Sequence, residues 1–536
     1  MALTDFPNQD FEQPEPRDEP AQPGSVRDRL VPPFQGSPLW GWLGPLLVAG
    51  FAAFLRFNRL GSPNAVVFDE TYYAKDSLSL IKFGVERVAV KDADKLLLKG
   101  DANIWQHCAP TEIDKCASYV VHPPLGKWMI GVGEWLFGAD PFGWRFAAAV
   151  VGVLSILVLA RVARRMTRST LLGCMAGLLL ALDGLHFVLS RTALLDVFLM
   201  FWVLAGFGCL VVDRDRSRER LAVWYEGSRL SGVGPWLGMR PWRIGAGLCL
   251  AAACATKWSG VFFLVAFWVL SLVWDAVARR AIGLRRPLAG VVRQDAPTSV
   301  VAMAVVPAVG YMLSWTGWFA SAYGYGRNWA QATSSGWGYF IFDSLRSWWN
   351  YQWMVLSFHT GLDSSHPYQS WPWEWPLLLR PVAFFYESPG GCGAAKCSQA
   401  VLGVGTPVIW YGAIIALLAM IVWYVSTRDW RAGAVLLAYA IGGLPWVYYA
   451  LADKRTMFLF YTAPMLPFMI LAIVLAAGLL IGPANGEPVR RIIGASLSGA
   501  FVLVALINFW WLYPVIAAEI IPYDDWHRRM LLDRWI

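Results

Sequence analysis

The chain has 536 residues, 57% of them hydrophobic and only 15% charged, with a formal net charge of +8. Soluble domains carry about 25% charged residues, so a soluble globular core of this length is excluded and a bilayer is the expected solvent. The positive charge does not point to nucleic acid, because the basic residues lie between apolar runs, where membrane topology accounts for them.

Residues 1–36 are rich in Pro, Gln, Asp and Glu and poor in aromatics, and are expected to form a disordered cytoplasmic tail. They lack the short apolar core of a secretory signal, so the first apolar run is expected to remain as an anchor. Apolar runs near 39–57, 142–162, 169–188, 193–212, 242–257, 259–277, 298–318, 406–426, 431–450, 457–481 and 492–515 predict about eleven helical spans. Arginines follow alternate runs: Arg161, Arg164, Arg165 and Arg168; then Arg214, Arg216, Arg218 and Arg220. Arg279, Arg280, Arg285, Arg286 and Arg293 come next, followed by Arg428 and Arg431, then Arg490 and Arg491. With an odd span count, all five groups fall on one side, the cytoplasmic one. Residues 58–141 and 319–405 then form two large extracytoplasmic loops, with residues 37–515 as one membrane domain and 516–536 as an extracytoplasmic C-terminal segment.

Cys108 and Cys116 share the first outer loop, and Cys392 and Cys397 the second. An oxidising space makes two local disulfides the expectation, with unpaired thiols as the alternative. The chain has no C-x-x-C pair and no H-E-x-x-H, so a standard zinc site is not expected, and no residue is assigned to a metal or cofactor.

The first outer loop carries adjacent carboxylates in Val67-Phe-Asp-Glu70, soon after a span. Ionised groups there are unfavourable near lipid unless used. Asp69 can take a proton from an alcohol, or it can cap the helix that follows. His122, in Val121-His-Pro-Pro-Leu-Gly-Lys127, binds substrate or caps the next helix. Arg145 enters an apolar run, where it either meets an anion in a polar cavity or snorkels to the interface. Asp183, Arg191, Asp196 and Lys257 lie near outer span ends, where they line a polar site or form structural ion pairs. The second outer loop is aromatic, from Trp348 through His366-Pro-Tyr368 to Trp375. Such rings suit sugars, lipid tails and peptides, and equally an interfacial aromatic belt.

Together, Val67-Phe-Asp-Glu70, His122-Pro-Pro-Leu125, Ala255-Thr-Lys-Trp-Ser-Gly260, His366-Pro-Tyr-Gln-Ser-Trp371 and Thr406-Pro-Val-Ile-Trp410 resemble the protein O-mannosyltransferases, in particular the actinobacterial polyprenol-phosphate-mannose type. The resemblance runs from about Leu46 to Tyr513. It implies an all-α polytopic membrane protein of the GT-C glycosyltransferase fold. It further implies a polyprenyl-phosphate-mannose donor and Ser/Thr-containing polypeptide acceptors met near the secretion translocon at the plasma membrane, with the active site on the extracytoplasmic face. Asp69 is then the base and Glu70 its orienting partner. Arg56 and Arg145 match the family's two important arginines, and with Lys257 they would support phosphate; His122, His366 and Tyr368 join the substrate site. Two departures stand out. The second loop is too short for the β-trefoil domain of eukaryotic members, and the stretch Lys454–Tyr461 lacks the histidine of the fungal pattern. Two rivals remain: a GT-C transferase acting on a glycolipid or cell-wall glycan, and a transporter or lipid flippase. The second would favour inverted repeats and charges at mid-membrane, whereas the ionisable residues here crowd the outer span ends.

Overall fold

Lipid offers no partner to a backbone N–H or C=O, and a helix satisfies both within its own segment. The computed structural model describes residues 30–34, 36–109, 112–227, 232–331 and 340–536, and in it every expected span falls on a helix. Helix α1 (Trp40–Phe57) leads to the first outer loop, which holds α2 (Glu70–Phe83) and α3 (Leu125–Phe137). Then follow α4 (Pro141–Thr167), α5 (Thr170–Ala181), α6 (Gly184–Leu189), α7 (Leu195–Gly227), α8 (Pro241–Thr256), α9 (Gly260–Ala281) and α10 (Pro287–Ser314). The second outer loop holds α11 (Phe340–Thr360) and strands β1 (Val382–Glu387) and β2 (Cys397–Gly403). The last spans are α12 (Pro407–Thr427), α13 (Trp430–Ala452), α14 (Leu459–Ile481) and α15 (Pro488–Ile516), with β3 (Ile520–Pro522) beyond them.

Among the described residues, nine helices are long and apolar enough to cross a membrane. Two expected spans fall short of that: the run at 169–188 breaks into α5 and α6 at Leu182–Asp183, and α8 has 16 residues. The most apolar stretch of α14 is 72% buried and that of α15 only 17%, so α14 is an inner helix and α15 a lipid-facing one.

The arginine-bearing ends of the helices meet in one ion-pair network. Arg165 and Arg168 donate to Asp215 at 3.0 and 2.9 Å. Arg240 bridges Asp213 and Asp275, Arg243 reaches Asp275 at 2.6 Å, and Arg279 holds Asp295 at 2.8 Å. Arg214 stacks on Trp430 at 3.6 Å, which brings the α12–α13 turn to the same end. The tail expected to be disordered over 1–36 lies outside the described residues up to position 29. Its last part, however, is docked: Leu30 is buried against Leu221, Leu237 and Leu284, and Arg164 and Arg168 sit 4.8 and 4.5 Å from the Phe34 ring.

The opposite end is not purely helical. β1, β2 and β3 form an antiparallel sheet in that order, with Cys397 opposite Pro522 and Gln399 opposite Ile520. The segment 516–536 is therefore part of the cap over the second outer loop. Trp535 is buried and donates to Leu378 O at 2.8 Å. Both local disulfides are present, Cys108–Cys116 and Cys392–Cys397.

Local signals set the helices of the first loop. α2 stops at Gly84, whose φ of +75° allows its N–H to reach Leu80 O. α4 starts at Asp140, whose carboxylate accepts from Gly143 N–H, with Pro141 at the first position. Where α2 crosses α3, Glu134 is buried; one oxygen accepts from Ser77 Oγ at 2.8 Å and the other has no partner. Burial pushes the Glu134 carboxyl up to about 8, against the smaller pull of Ser77 and Lys82. The folded state thus favours the proton, so this group's contribution is greatest below its unfolded pKa and is lost as pH rises towards about 8. Glu134→Gln is expected to raise the melting temperature of the detergent-solubilised protein, with the gain growing from pH 5 to 8 and levelling above. A gain that does not change with pH would contradict a buried, protonated Glu134.

Candidate active site

The turn between α1 and α2 is wrapped around one guanidinium. Arg145, 1% exposed, donates from Nε to Glu70 Oε1 at 2.8 Å and from Nη2 to Glu70 Oε2 at 2.9 Å. Its other bonds go to Pro63 O, Ala65 O and, more loosely, Leu60 O, at 2.9, 2.8 and 3.4 Å. Glu70 is fully buried and also accepts from Val67 N and Ala193 N, both at 3.0 Å. A bidentate pair with every oxygen lone pair occupied is a rigid anchor.

Phe68, directly before the acidic pair, has a φ of +47°. This conformation costs a bulky residue roughly 1–3 kcal/mol and persists only where the surroundings hold it. Here Phe384, Phe460 and Phe458 hold it, at ring distances of 5.0, 5.8 and 5.9 Å. The result is the placement of Asp69. It stands at the N-terminus of α2 but makes no side-chain cap, so the capping alternative is not realised. Burial pushes its carboxyl up to about 6; Lys257 opposes this and Asp196 adds to it. Tyr73, one turn further along the same face of α2, has its ring 6.2 Å from His122.

Beside this lies a cavity of about 640 Å³ between α7, α8, α9, α10 and α11. One end is polar, with His122, Asp196, Lys257, His359, Arg455 and Tyr461; the flank is apolar, with Val261, Phe262, Leu264, Ala304, Pro307 and Leu356. Lys257 Nζ reaches both oxygens of Asp196, at 3.0 and 2.9 Å, and stands 5.3 Å from the Tyr461 ring. The turn that carries Lys257 requires Gly260, since a Cβ there would lie 2.7 Å from the Ala253 carbonyl carbon. The His-Pro-Pro-Leu-Gly segment enters equally closely: a Cβ on Gly126 would meet Leu195 at 2.7 Å and Thr256 at 2.9 Å.

The histidines here are neutral. Burial pushes His122 well below its ordinary value, helped by Lys257 and His359. His359 is pushed down to about 4, first by burial and then by Arg455. His359 Nε2–H donates to Val121 O at 3.0 Å, which leaves Nδ1 to accept from Arg455 Nη2 at 3.3 Å.

The residues singled out from the sequence divide into two groups. His122, Asp196 and Lys257 come together in the cavity lining, and Asp69, outside that lining, is close enough to interact electrostatically with Lys257 and Asp196. The arginines do not. Arg145, expected to meet phosphate, has its donors taken up by Glu70 and backbone carbonyls; Glu70, expected to orient Asp69, is taken up in turn. Arg56 is fully buried against Ala181 O and His186 Nδ1. Arg191 caps α1 by donating to Arg56 O, Asn58 O and Arg59 O at 2.8, 2.6 and 3.0 Å. Asp183 caps α6 and accepts from Trp410 Nε1 at 2.8 Å and Thr406 N at 3.2 Å, which gives the Thr406–Trp410 motif a structural purpose. His366 and Tyr368 lie outside the cavity lining; His366 packs on Phe458 at 5.0 Å and Phe68 at 6.2 Å, backing the strained turn. Arg455 and Tyr461 are cavity residues that were not singled out. Their only signal is a basic pair followed by a dense aromatic run, in the stretch already set apart for its missing histidine.

Removing one member of a buried ion pair leaves the other charge unpaired and costs about 3–5 kcal/mol. Glu70→Ala and Arg145→Met are each expected to lower unfolding stability by that order, and the double variant by clearly less than the sum. Simple additivity in thermal or denaturant unfolding would contradict the anchor.

Comparison with known proteins places these features in a family. Residues 113–316 match the family model described as dolichyl-phosphate-mannose-protein mannosyltransferase, and residues 344–535 match the C-terminal four TMM region of protein-O-mannosyltransferase. The polyprenol-phosphate-mannose–protein mannosyltransferase of Mycolicibacterium smegmatis (strain MKD8) is 39% identical over 529 residues, covering 94% of this chain and 96% of that one. Its counterpart from Mycobacterium tuberculosis (strain CDC 1551 / Oshkosh) is 38% identical over 538 residues, 97% of each. The solved Pmt1–Pmt2 complex of Saccharomyces cerevisiae, bound to the sugar donor, superposes with a TM-score of 0.68 at 15% identity, covering 94% of this chain and 93% of that one, and shows the shared GT-C fold. The chain belongs to the protein O-mannosyltransferase family.

Proposed function

We propose that this protein transfers mannose from polyprenyl-phosphate-mannose to Ser or Thr hydroxyls of polypeptides, with Asp69 as the general base. The observation that carries the reading is a carboxylate, Asp69, left without a cap or anchor at a strained turn beside a cavity that is cationic at one end and apolar along its flank. The apolar flank suits a polyprenyl chain. Lys257 and Arg455 stand where the phosphate would lie. Asp69 takes the acceptor proton, the acceptor oxygen bonds to mannose C1 from the face opposite the phosphate, and the C1–O bond breaks with its electron pair leaving on phosphate. The products are an inverted mannoside and polyprenyl phosphate. Neutral His122 and His359 bring no positive charge to the site at pH 7; they shape the pocket as hydrogen-bonding groups. Arg145 and Glu70 act through position, by fixing the turn that presents Asp69.

The site is assigned to the extracytoplasmic face of the plasma membrane, where unfolded chains emerge from the translocon. Two observations support this. Arg145 and Arg165 are separated by 20 residues of one helix, about 30 Å of rise, which matches the hydrocarbon thickness. The site end also carries both disulfides, as expected in an oxidising space.

Purified protein, radiolabelled polyprenyl-phosphate-mannose and a Ser/Thr-rich peptide test the reaction. Asp69→Asn is expected to lose about 100- to 10,000-fold in turnover with an unchanged melting temperature. A base must be ionised, so kcat/KM should fall tenfold per pH unit below about 6 and stay flat above it, without a histidine limb between 6 and 8. Wild-type rates in Asp69→Asn would remove the base assignment. For topology, single cysteines placed within 58–141 should react in intact cells with an impermeant maleimide, and those within 213–220 should not. The reverse pattern would place the site in the cytoplasm.

A further inference from the structure

We infer that Gln352 is a headgroup-binding residue of the cavity, donating its amide N–H groups to an oxygen of the mannosyl phosphate. This inference rests on the donor proposed above. The neighbourhood of Gln352 is fixed from three directions. α11 is tied to the segment before His122: Tyr351 Oη donates to Val120 O at 2.8 Å and accepts from Val120 N at 3.1 Å, and Tyr119 Oη donates to Met354 O at 3.1 Å. This turns Gln352, with Leu356 and His359 one and two turns on, towards the cavity lining.

The amide itself is oriented by a relay. Trp258, the neighbour of Lys257, donates from Nε1 to Tyr311 Oη at 2.8 Å. The Tyr311 hydroxyl, with its acceptor side taken, gives its proton to Gln352 Oε1 at 2.8 Å. Indole nitrogen is only a donor, so Tyr311 accepts from Trp258 and keeps its own proton to give to Gln352 Oε1. Nε2 is thereby turned away from the relay. It is buried and has no hydrogen-bond partner, although the residue is only 8% exposed. Buried amide donors are normally satisfied. Gln352 borders the cavity together with Lys257, His359 and Arg455, and a mannosyl phosphate bound there presents two kinds of acceptor, phosphate oxygens and sugar hydroxyls.

The test is donor and acceptor kinetics of Gln352→Leu and Gln352→Glu, with direct binding of polyprenyl phosphate. Loss of a hydrogen bond to a charged or buried partner corresponds to about 10- to 100-fold in affinity. Gln352→Leu is expected to raise donor KM by that factor, with acceptor KM and kcat within about twofold. Gln352→Glu keeps the oxygen that Tyr311 needs and replaces the donor with an acceptor, so it should raise donor KM at least as far. It also carries the test should Gln352→Leu fail to insert. If polyprenyl phosphate itself binds more weakly to the variants, the contact is to phosphate; if only the mannosylated lipid does, the contact is to the sugar. Unchanged donor KM and unchanged binding in a folded variant would overturn the inference, as would a fall in kcat and melting temperature with donor KM unaltered. A wild-type protein inactive with polyprenyl-phosphate-mannose would instead defeat the proposed function.

Discussion

The bidentate bond between Arg145 and Glu70 ties together parts of the chain that have no other reason to meet. Glu70 opens α2, Arg145 lies one turn inside α4, and Ala193 N and the carbonyls of Pro63 and Ala65 complete the cluster. Both side chains are withdrawn from water, and each satisfies the other's charge as well as several backbone groups. An anchor of this kind is all-or-none: neither partner is tolerable alone in a low-dielectric setting. The loop that leaves it has no freedom to relax, which is why Phe68 can be held at a positive φ and why Asp69 can stand without a hydrogen bond of its own. A free, partly desolvated carboxylate is an unfavourable group maintained by an over-determined frame.

A second constraint acts at the other membrane face. Four aspartates, Asp213, Asp215, Asp275 and Asp295, are interleaved with arginines from several inter-helical turns. The arginines, in pairing, lock the lower ends of α4, α7, α8 and α9 together. The cavity at the upper ends of α7, α8 and α9 therefore has walls fixed at both membrane faces. α10 and α11 close its remaining sides, and α11, with Trp349 and Trp353 exposed, is the one of these five helices that is not a span.

Much of this was legible in the sequence because its signals are local. Long apolar runs became helices, arginine placement marked one end of them, and the motifs carrying His122 and Lys257 met in one cavity. What could not be read was partnership. A guanidinium in an apolar run does need an anion, but sequence does not say that the anion is Glu70 of the same chain. Arg191 and Arg56 likewise looked available and prove to serve backbone carbonyls and His186. Arg455 and Gln352 were overlooked for the converse reason: a basic pair after a span and a polar residue in an aromatic helix both have unremarkable local readings. Only packing brings them into the cavity that Lys257 also lines. The sheet was missed because β1 and β2 sit in a short stretch of an otherwise aromatic loop, and β3 joins β2 from beyond the last four spans with no local signal for the pairing.

That pairing has a consequence for biosynthesis. β2 lies before the last four spans and β3 after them, so the hydrogen bonds from Ser398 and Gln399 to Ile521 and Ile520 close only when the whole chain has been threaded through the membrane. Until then the shelf carrying Phe384, and with it the support behind Phe68, lacks its third strand. The order of synthesis thus completes this end of the fold last, after every span is in place.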